Sequence, residues 1–183
     1  MNYKDAKVVQ ALDYLVTSLK GGCSKLNLLQ LVYLADRYHL RKFGRTVTGD
    51  SYRAMPYGPV ADRTRVVIET IASIDGAGAY LVNRPTARYE VLYSVRSPDL
   101  SYLSASEREA LEAAVREFPR HDNIVDFTHL FPEWKRHEAE VLAGDRPAMD
   151  FDDFFLPCPE GEYCDVPDEL VRMNREIFAE SAR

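Results

Sequence analysis

Apolar residues recur at helical spacing along most of the chain. A first helix is predicted from residue 5 to about residue 20, because its apolar positions repeat every three or four residues: Val8, Val9, Leu12, Leu15, Val16 and Leu19. A second helix is predicted over residues 25–42, with Ser24 as its N-cap and Gly44 as its end. This second helix is apolar over much of its circumference, which is typical of a central, buried helix.

The helical pattern breaks at residues 46–57. We interpret this stretch as an extended or looped segment that leads to a third helix, with Pro59 near the first turn of that helix. Two short strands are predicted next, at residues 80–83 and 89–95, and in the second strand Tyr89, Val91, Tyr93 and Val95 share one face. Residues 84–87 suit the loop of a hairpin between them.

Helices return in the second half of the chain. Ser104 and Glu107 have the spacing of a capping box at the start of a helix that Pro119 ends. Two shorter helices are predicted at residues 123–130 and 132–142.

The composition shifts after Gly144. An acidic and aromatic segment at residues 150–155 comes first, and a last amphipathic helix is predicted from residue 167 to about residue 180. We expect residues 1–143 to form one domain and residues 144–183 to form a C-terminal extension that packs on it. The acidic segment would dock on a basic surface, either of this chain or of a partner. The predicted fold class is mainly α: a compact multi-helix domain with a small antiparallel β-hairpin.

The composition is that of an ordinary globular protein. The chain has 183 residues, of which 46% are hydrophobic and 28% charged, enough to bury a core. No apolar run approaches the roughly 20 residues that span a bilayer, and the first residues do not resemble a signal peptide. We therefore expect a cytoplasmic protein without membrane contact. The net charge of -6 disfavours nonspecific binding to nucleic acid.

The cysteines and histidines do not predict a metal site. The three cysteines are too few for a disulfide scaffold or a zinc knuckle, so reduced structural thiols are expected: Cys23, Cys158 and Cys164. Three histidines recur every eight residues: His121, His129 and His137. Eight residues rotate a helix by about 80° beyond two turns, so these side chains leave a common face. We expect no metal and no cofactor.

Motifs that would indicate catalysis are missing from the sequence. It contains no nucleophile elbow, phosphate loop, dinucleotide fingerprint or His-Glu-x-x-His helix. The protein is therefore not expected to be an enzyme. The enzymatic alternative is an unrecognised site around Tyr57, Asp126 and His129.

One stretch has the composition of a protein interface. Tyr52, Arg53, Met55 and Tyr57 are residue types enriched in interface hot spots, and glycine and proline bound the stretch. We predict that these four residues bind a partner. The alternative is that the tyrosines and Met55 fill the core beneath the hairpin.

A second candidate lies on the second predicted helix. Arg37 and Arg41, followed by Lys42, would form a basic patch that binds an acidic protein or nucleic acid. The alternative is an ordinary solvated helix face.

The order of several motifs resembles a known family. The motifs are Leu31-Val32-Tyr33-Leu34-Ala35-Asp36, Phe43-Gly44-Arg45-Thr46-Val47-Thr48-Gly49-Asp50, Tyr52-Arg53-Ala54-Met55-Pro56-Tyr57-Gly58-Pro59-Val60, Leu103-Ser104 through Leu111, Asp126-Phe127-Thr128-His129, and Pro132-Glu133-Trp134. In this order they resemble the Panacea domain, the SocA-like antitoxin family, over roughly residues 6 to 140. The chain departs from the family pattern at two positions, since Gln30 replaces a frequent lysine and Met55 a frequent tryptophan.

The resemblance implies a mainly α-helical domain with a small β-hairpin and no enzymatic activity. It implies a bacterial antitoxin that neutralises the toxin encoded beside it by direct protein contact. Some members are similar to proteolytic adaptors that deliver the toxin to a AAA+ protease, and others belong to prophages. The alternative functions are a nucleic-acid-binding transcriptional regulator and a phage-associated interaction protein. Homo-oligomerisation stays open.

Overall fold

The computed structural model of the protein describes residues 1–157, 163 and 166–181. The α-helices in this part of the chain are α1 (Tyr3–Ser18), α2 (Lys25–Phe43), α3 (Asp62–Thr70), α4 (Ala105–Glu117), α5 (Ile124–Thr128), α6 (Pro132–Lys135), α7 (Glu138–Leu142) and α8 (Asp168–Ser181). The strands are β1 (Cys23–Ser24), β2 (Tyr52–Met55), β3 (Gly58–Ala61), β4 (Leu81–Asn83) and β5 (Val91–Ser94). The fold is mainly α with small antiparallel sheets, which confirms the predicted fold class.

Helix α2 is the centre of the fold. The Ser24 hydroxyl accepts the backbone N–H of Asn27 at its start, and Gly44 ends it in the left-handed conformation with φ of 73°. Every residue from Leu28 to Arg37 is buried, because α1, α4, α5, α8 and β3 surround the helix. The sequence prediction of the most buried helix, with these two caps, is confirmed.

A three-stranded antiparallel sheet in the order β1-β5-β4 lies beside α1. The β4–β5 hairpin confirms the predicted hairpin, and β1 adds a short third strand that pairs Cys23 with Leu92. Burial raises the pKa of the Cys23 thiol to about 12, as expected of a packed, unreactive cysteine. Cys158 and Cys164 lie outside the described residues.

A second hairpin, β2–β3, corrects the interpretation of residues 46–57 as a purely extended or looped segment. Ala54 pairs with Pro59, and α3 begins only at Asp62, so Pro59 belongs to a strand and not to the first turn of a helix. Pro59 is tolerated there because its missing N–H is not needed for the ladder with β2.

The C-terminal extension is packed on the helices. Ala54 donates its N–H to the Pro147 carbonyl, and Met149 donates its N–H to the Tyr52 carbonyl, so residues 147–149 cover the outer edge of β2. Asn174 on α8 donates to the Arg41 carbonyl at the end of α2 at 3.0 Å.

The acidic segment docks on this chain's own arginines. Asp153 pairs with Arg136 at 2.6 Å, and Asp152 pairs with Arg175 on α8. The sequence allowed this segment to dock either on this chain or on a partner. The structure shows that it docks on this chain.

The remaining helices follow their local signals. The capping box of Ser104 and Glu107 is present at the start of α4. The predicted helix at residues 132–142 is in fact two short helices, α6 and α7, separated at His137.

Within the described residues no helix has both the length and the apolar character to cross a membrane. The same residues contain no group of three or more histidine, cysteine or acidic side chains arranged to hold a metal ion.

Candidate protein-binding groove

The six candidate binding residues divide into two groups. Arg37, Arg41 and Tyr52 are buried. Arg53, Met55 and Tyr57 lie at the surface or partly exposed.

Arg37 is a structural residue. Its Nε donates to Glu133 at 2.7 Å, and both side chains are fully buried. Its Nη2 donates to the Leu156 carbonyl at 2.5 Å, and its guanidinium lies 4.6 Å from the centre of the Phe131 ring. The buried ion pair ties α2 to α6, and the bond to Leu156 ties α2 to the C-terminal extension.

Arg41 has a similar role one turn further along α2. Its Nη1 donates to the backbone carbonyls of residues 154–156 at the end of a 3₁₀ turn, with 2.9 Å to Leu156. Lys42 pairs with Glu109 on α4 at 2.5 Å. The prediction that Arg37 and Arg41 bind a partner is therefore wrong, and so is the alternative of a solvated helix face. The reason is that the C-terminal extension covers this face of α2.

Tyr52 belongs to the core, as the alternative interpretation proposed for it. Its hydroxyl donates to Asp36 at 2.7 Å, and Asp36 also accepts the backbone N–H groups of Val47 and Thr48. Burial raises the pKa of Asp36 to about 6, although the hydrogen bonds from Thr48 and Tyr52 act to lower it. This network fixes the segment that leads into β2, so the partner-binding prediction is wrong for Tyr52.

Arg53 lies on the edge of β2. Its side chain is 48% exposed, and it donates to Asp62 at 3.1 Å and to the Arg146 carbonyl at 3.3 Å. It does not line the groove described next.

Met55 and Tyr57 line an apolar surface groove of about 380 Å³. Leu26 and Leu29 of α2 and Val60 of β3 are among its lining residues. Residues 88–90, which precede β5, also line it. Two tyrosines of the groove are mostly exposed, Tyr57 at 67% and Tyr89 at 61%.

The first wall of the groove is the turn between β2 and β3, and buried hydrogen bonds hold it. The indole Nε1 of Trp134 donates to the Met55 carbonyl at 3.0 Å, and the Gln30 amide donates to the Pro59 carbonyl at 3.3 Å. The Thr128 hydroxyl in turn donates to the Gln30 side-chain oxygen at 2.8 Å.

Gly58 is required at this turn. Its φ of +100° is a conformation that residues with a side chain rarely adopt. A Cβ atom there would lie 2.8 Å from the Thr128 hydroxyl oxygen and still closer to the Gln30 side-chain oxygen. The turn therefore sits directly on the buried Gln30 and Thr128 side chains.

The second wall is the segment before β5, and a salt-bridge cluster holds it. Lys25 at the start of α2 lies 2.7 Å from Glu69 of α3 and 3.0 Å from Glu90. The hydrogen bond from Lys25 lowers the pKa of Glu69. Burial acts to lower the pKa of Lys25, but its bonds to the two glutamates raise it overall.

The sequence predicts two of the residues that line this groove as binding residues. Met55 and Tyr57 were predicted, whereas Tyr89, Leu26 and Leu29 were assigned only to a strand and a buried helix. The alternation around Tyr89 placed it on one face of a strand, but periodicity does not say that this face meets α2. The sequence identifies Trp134 and Thr128 only as members of the family motifs. The structure shows that they hold the turn between β2 and β3.

Most of the residues that line the groove lie in the part of the chain that matches a known family, whereas Ser24, Lys25 and Leu26 precede it. Residues 28–135, more than half of the 183 residues, match the family described as antitoxin SocA-like, Panacea domain. Searches of curated proteins and of solved structures found no match. The match contains the α2 core, the β2–β3 turn and the residues of α5 and α6 that hold it. The chain therefore belongs to the SocA-like antitoxin family, with a Panacea domain.

Proposed function

We propose that the protein is an antitoxin that neutralises a cognate toxin by binding it directly, without catalysing a reaction. The observation that carries the proposal is the apolar groove lined by the exposed Tyr57 and Tyr89, on a member of an antitoxin family. Tyrosine, methionine and leucine side chains around a concave apolar surface are what the centre of a protein interface requires.

The groove is suited to binding rather than to chemistry. Its lining residues within the described chain include no histidine or cysteine, and Lys25 is engaged with Glu69 and Glu90. A toxin segment seated between the two tyrosines would lose its solvent exposure. We propose that this contact covers the surface with which the toxin acts.

The structure gives less support to the nucleic-acid alternative. That function relied on Arg37, Arg41 and Lys42 as a basic patch. Arg37 and Arg41 are buried in contacts to the protein itself, and Lys42 is paired with Glu109. Phosphate contacts need cations that reach the solvent, and the two arginines do not.

The test is co-expression of the chain with its neighbouring gene in bacteria, scored for growth and for co-purification. We expect growth rescue and a stable complex. Tyr57→Ala removes a groove tyrosine, so we expect binding to weaken by roughly 30-fold, or about 2 kcal/mol. Tyr3→Ala is the matched control, since Tyr3 is 66% exposed but lies outside the groove.

The toxin level in the same cells separates two ways in which the protein could neutralise the toxin. If the toxin level falls only in cells that contain a AAA+ protease, the protein delivers the toxin for degradation, and if the level stays constant it acts by stoichiometric binding. A neighbouring product that is toxic but neither bound nor neutralised contradicts the antitoxin proposal. Equal effects of Tyr57→Ala and Tyr3→Ala contradict the assignment of the groove.

A further inference from the structure

The charges around the groove are unevenly matched. Three cations, Lys25, Arg65 and Arg88, face two carboxylates, Glu69 and Glu90. Lys25 bridges both carboxylates, and Arg65 also reaches Glu69 at 3.3 Å. Arg88 is exposed and makes no ion pair with any residue in the described part of the chain.

This local surplus is opposite in sign to the charge of the whole chain. The protein carries a net charge of -6, yet the rim of its apolar groove carries one positive charge more than it has negative ones. Charges at an interface rim select the sign of the partner. The unpaired guanidinium of Arg88 therefore favours a carboxylate from the occupant.

The apolar part of the groove limits the size of the occupant. Its volume of about 380 Å³ lies at the low end of the roughly 300–1,000 Å³ typical of ligand pockets. With Leu26, Leu29 and Val60 among its lining residues, it suits one or two large apolar side chains rather than a whole helix.

The backbone around the groove does not accept an added strand. Pro59 has no N–H, and its carbonyl accepts the Gln30 amide. The outer edge of β2 is already covered by residues 147–149. The partner must therefore be recognised through its side chains, not by strand addition to this hairpin.

We infer that the groove recognises a toxin segment in which a large apolar side chain stands within about one helical turn of an aspartate or glutamate. The apolar side chain enters between Tyr57 and Tyr89, and the carboxylate pairs with Arg88. This inference rests on the proposed function for the identity of the partner. The chemistry of the toxin segment is inferred from the charge and shape of the groove.

The test uses phage-displayed random dodecapeptides selected on the full chain. Clones that also bind Met55→Asp are subtracted, because an aspartate in the groove wall blocks apolar insertion. We expect the remaining clones to combine a large apolar residue with a nearby acidic residue. Selection on Arg88→Glu should replace the acidic preference with lysine or arginine.

A synthetic fluorescein-labelled peptide of the selected consensus then measures the contribution of Arg88 by fluorescence anisotropy. Arg88→Glu should weaken binding by roughly tenfold or more, since an attraction becomes a repulsion. Arg84→Glu is the matched control on the same segment. The Arg84 guanidinium lies over the Tyr93 ring, and Arg84 does not line the groove.

The outcomes separate this inference from the proposed function. A basic consensus, equal effects of Arg88→Glu and Arg84→Glu, or no groove-dependent clone overturns the inference, even if co-expression shows neutralisation. A dimer that Met55→Asp dissociates in analytical ultracentrifugation overturns it too, because a second copy then fills the groove. An acidic consensus without neutralisation supports the groove chemistry and contradicts the antitoxin proposal.

Discussion

The two hairpins that meet at the groove are built differently. The β2–β3 hairpin turns through Pro56 and Tyr57, and the buried side chains of Gln30 and Trp134 donate to the carbonyls of Pro59 and Met55 on either side of this turn. The β4–β5 hairpin turns through residues 84–90, of which 84–89 are exposed. Glu90 connects it to the start of α2 through the salt bridge with the Lys25 side chain and through its carbonyl, which accepts the Lys25 backbone N–H.

We call the turn between β2 and β3 the preset wall of the groove, and the segment before β5, residues 84–90, the adjustable wall. Tyr57 stands on a turn that is fixed before any partner binds, so little ordering accompanies its burial. Tyr89 stands on a segment whose residues 84–89 are exposed, so ordering on binding falls mainly on that side. The following predictions test this contrast, beginning with the largest effect.

Gly58→Ala should destabilise the protein most. The new Cβ would occupy a positive φ and contact the Gln30 and Thr128 side chains, so we expect the free energy of unfolding to fall by roughly 3–4 kcal/mol. Urea denaturation followed by circular dichroism measures the change.

Gly49→Ala is the matched control for that substitution. Gly49 also has a positive φ, 66°, but a Cβ there would meet nothing within 4 Å. The strain alone should lower the free energy of unfolding by about 1 kcal/mol. Equal losses at the two glycines would show that the turn is not packed as tightly as the structure has it.

Thr128→Val tests the same wall with a smaller change. Valine keeps the shape of threonine but removes the donor to the buried Gln30 oxygen, so we expect a loss of about 1–3 kcal/mol in the free energy of unfolding. Thr70→Val is the control, because the Thr70 hydroxyl is exposed and bonds only within its own helix. Its change should stay within about 0.5 kcal/mol. A loss at Thr128 no larger than that at Thr70 would contradict the preset wall.

The features that the sequence predicted correctly depend on neighbours within a few residues. The N-cap Ser24, the terminating Gly44 and the capping box of Ser104 and Glu107 all act over at most one helical turn. Local chemistry decides such features, so a single sequence is sufficient to find them.

The errors arose where distant contacts decide the outcome. The sequence treats Arg37 and Arg41 as surface cations, but Glu133 and residues 154–156, about a hundred positions away, bury them. Pro59 favoured a helix start. Its pairing with Ala54 is local, but the strand that contains Ala54 is covered on its outer edge by the distant residues 147–149. Neither contact leaves a signal in local periodicity.

The adjustable wall should respond to Lys25→Met. The salt bridges of Lys25 are partly exposed, so the free energy of unfolding should fall by less than about 1 kcal/mol. Trypsin cleavage after Arg88 should nevertheless accelerate several-fold, because Glu90 loses its salt bridge and keeps only its bonds to the Lys25 backbone N–H and to Asn83. Lys42→Met removes a comparable pair with Glu109 on another face and should leave this cleavage unchanged. Unchanged cleavage in Lys25→Met would show that the segment before β5 does not depend on the cluster.

The smallest effect is expected from lowering the pH, which should change only the adjustable wall. The hydrogen bond from Lys25 holds the pKa of Glu69 below its ordinary value of 4.5. A carboxylate whose pKa is lower in the folded state contributes stability above its unfolded pKa and loses that contribution as the pH falls through the folded value. Lys25 has a raised pKa and stays charged throughout this range, so protonation of Glu69 removes one of the two carboxylate partners of Lys25.

Backbone amide resonances report the two walls separately in a titration from about pH 7 to about pH 3.5. We expect the Tyr89 and Glu90 amides to shift below about pH 4.5, while Ala54, whose N–H donates to Pro147, stays unchanged. In Lys25→Met the midpoint should move up towards 4.5, since the hydrogen bond that lowers the pKa of Glu69 is gone. Shifts of Ala54 and Tyr89 with a common midpoint would mean that the two hairpins respond as one unit. The division into a preset and an adjustable wall would then have to be abandoned.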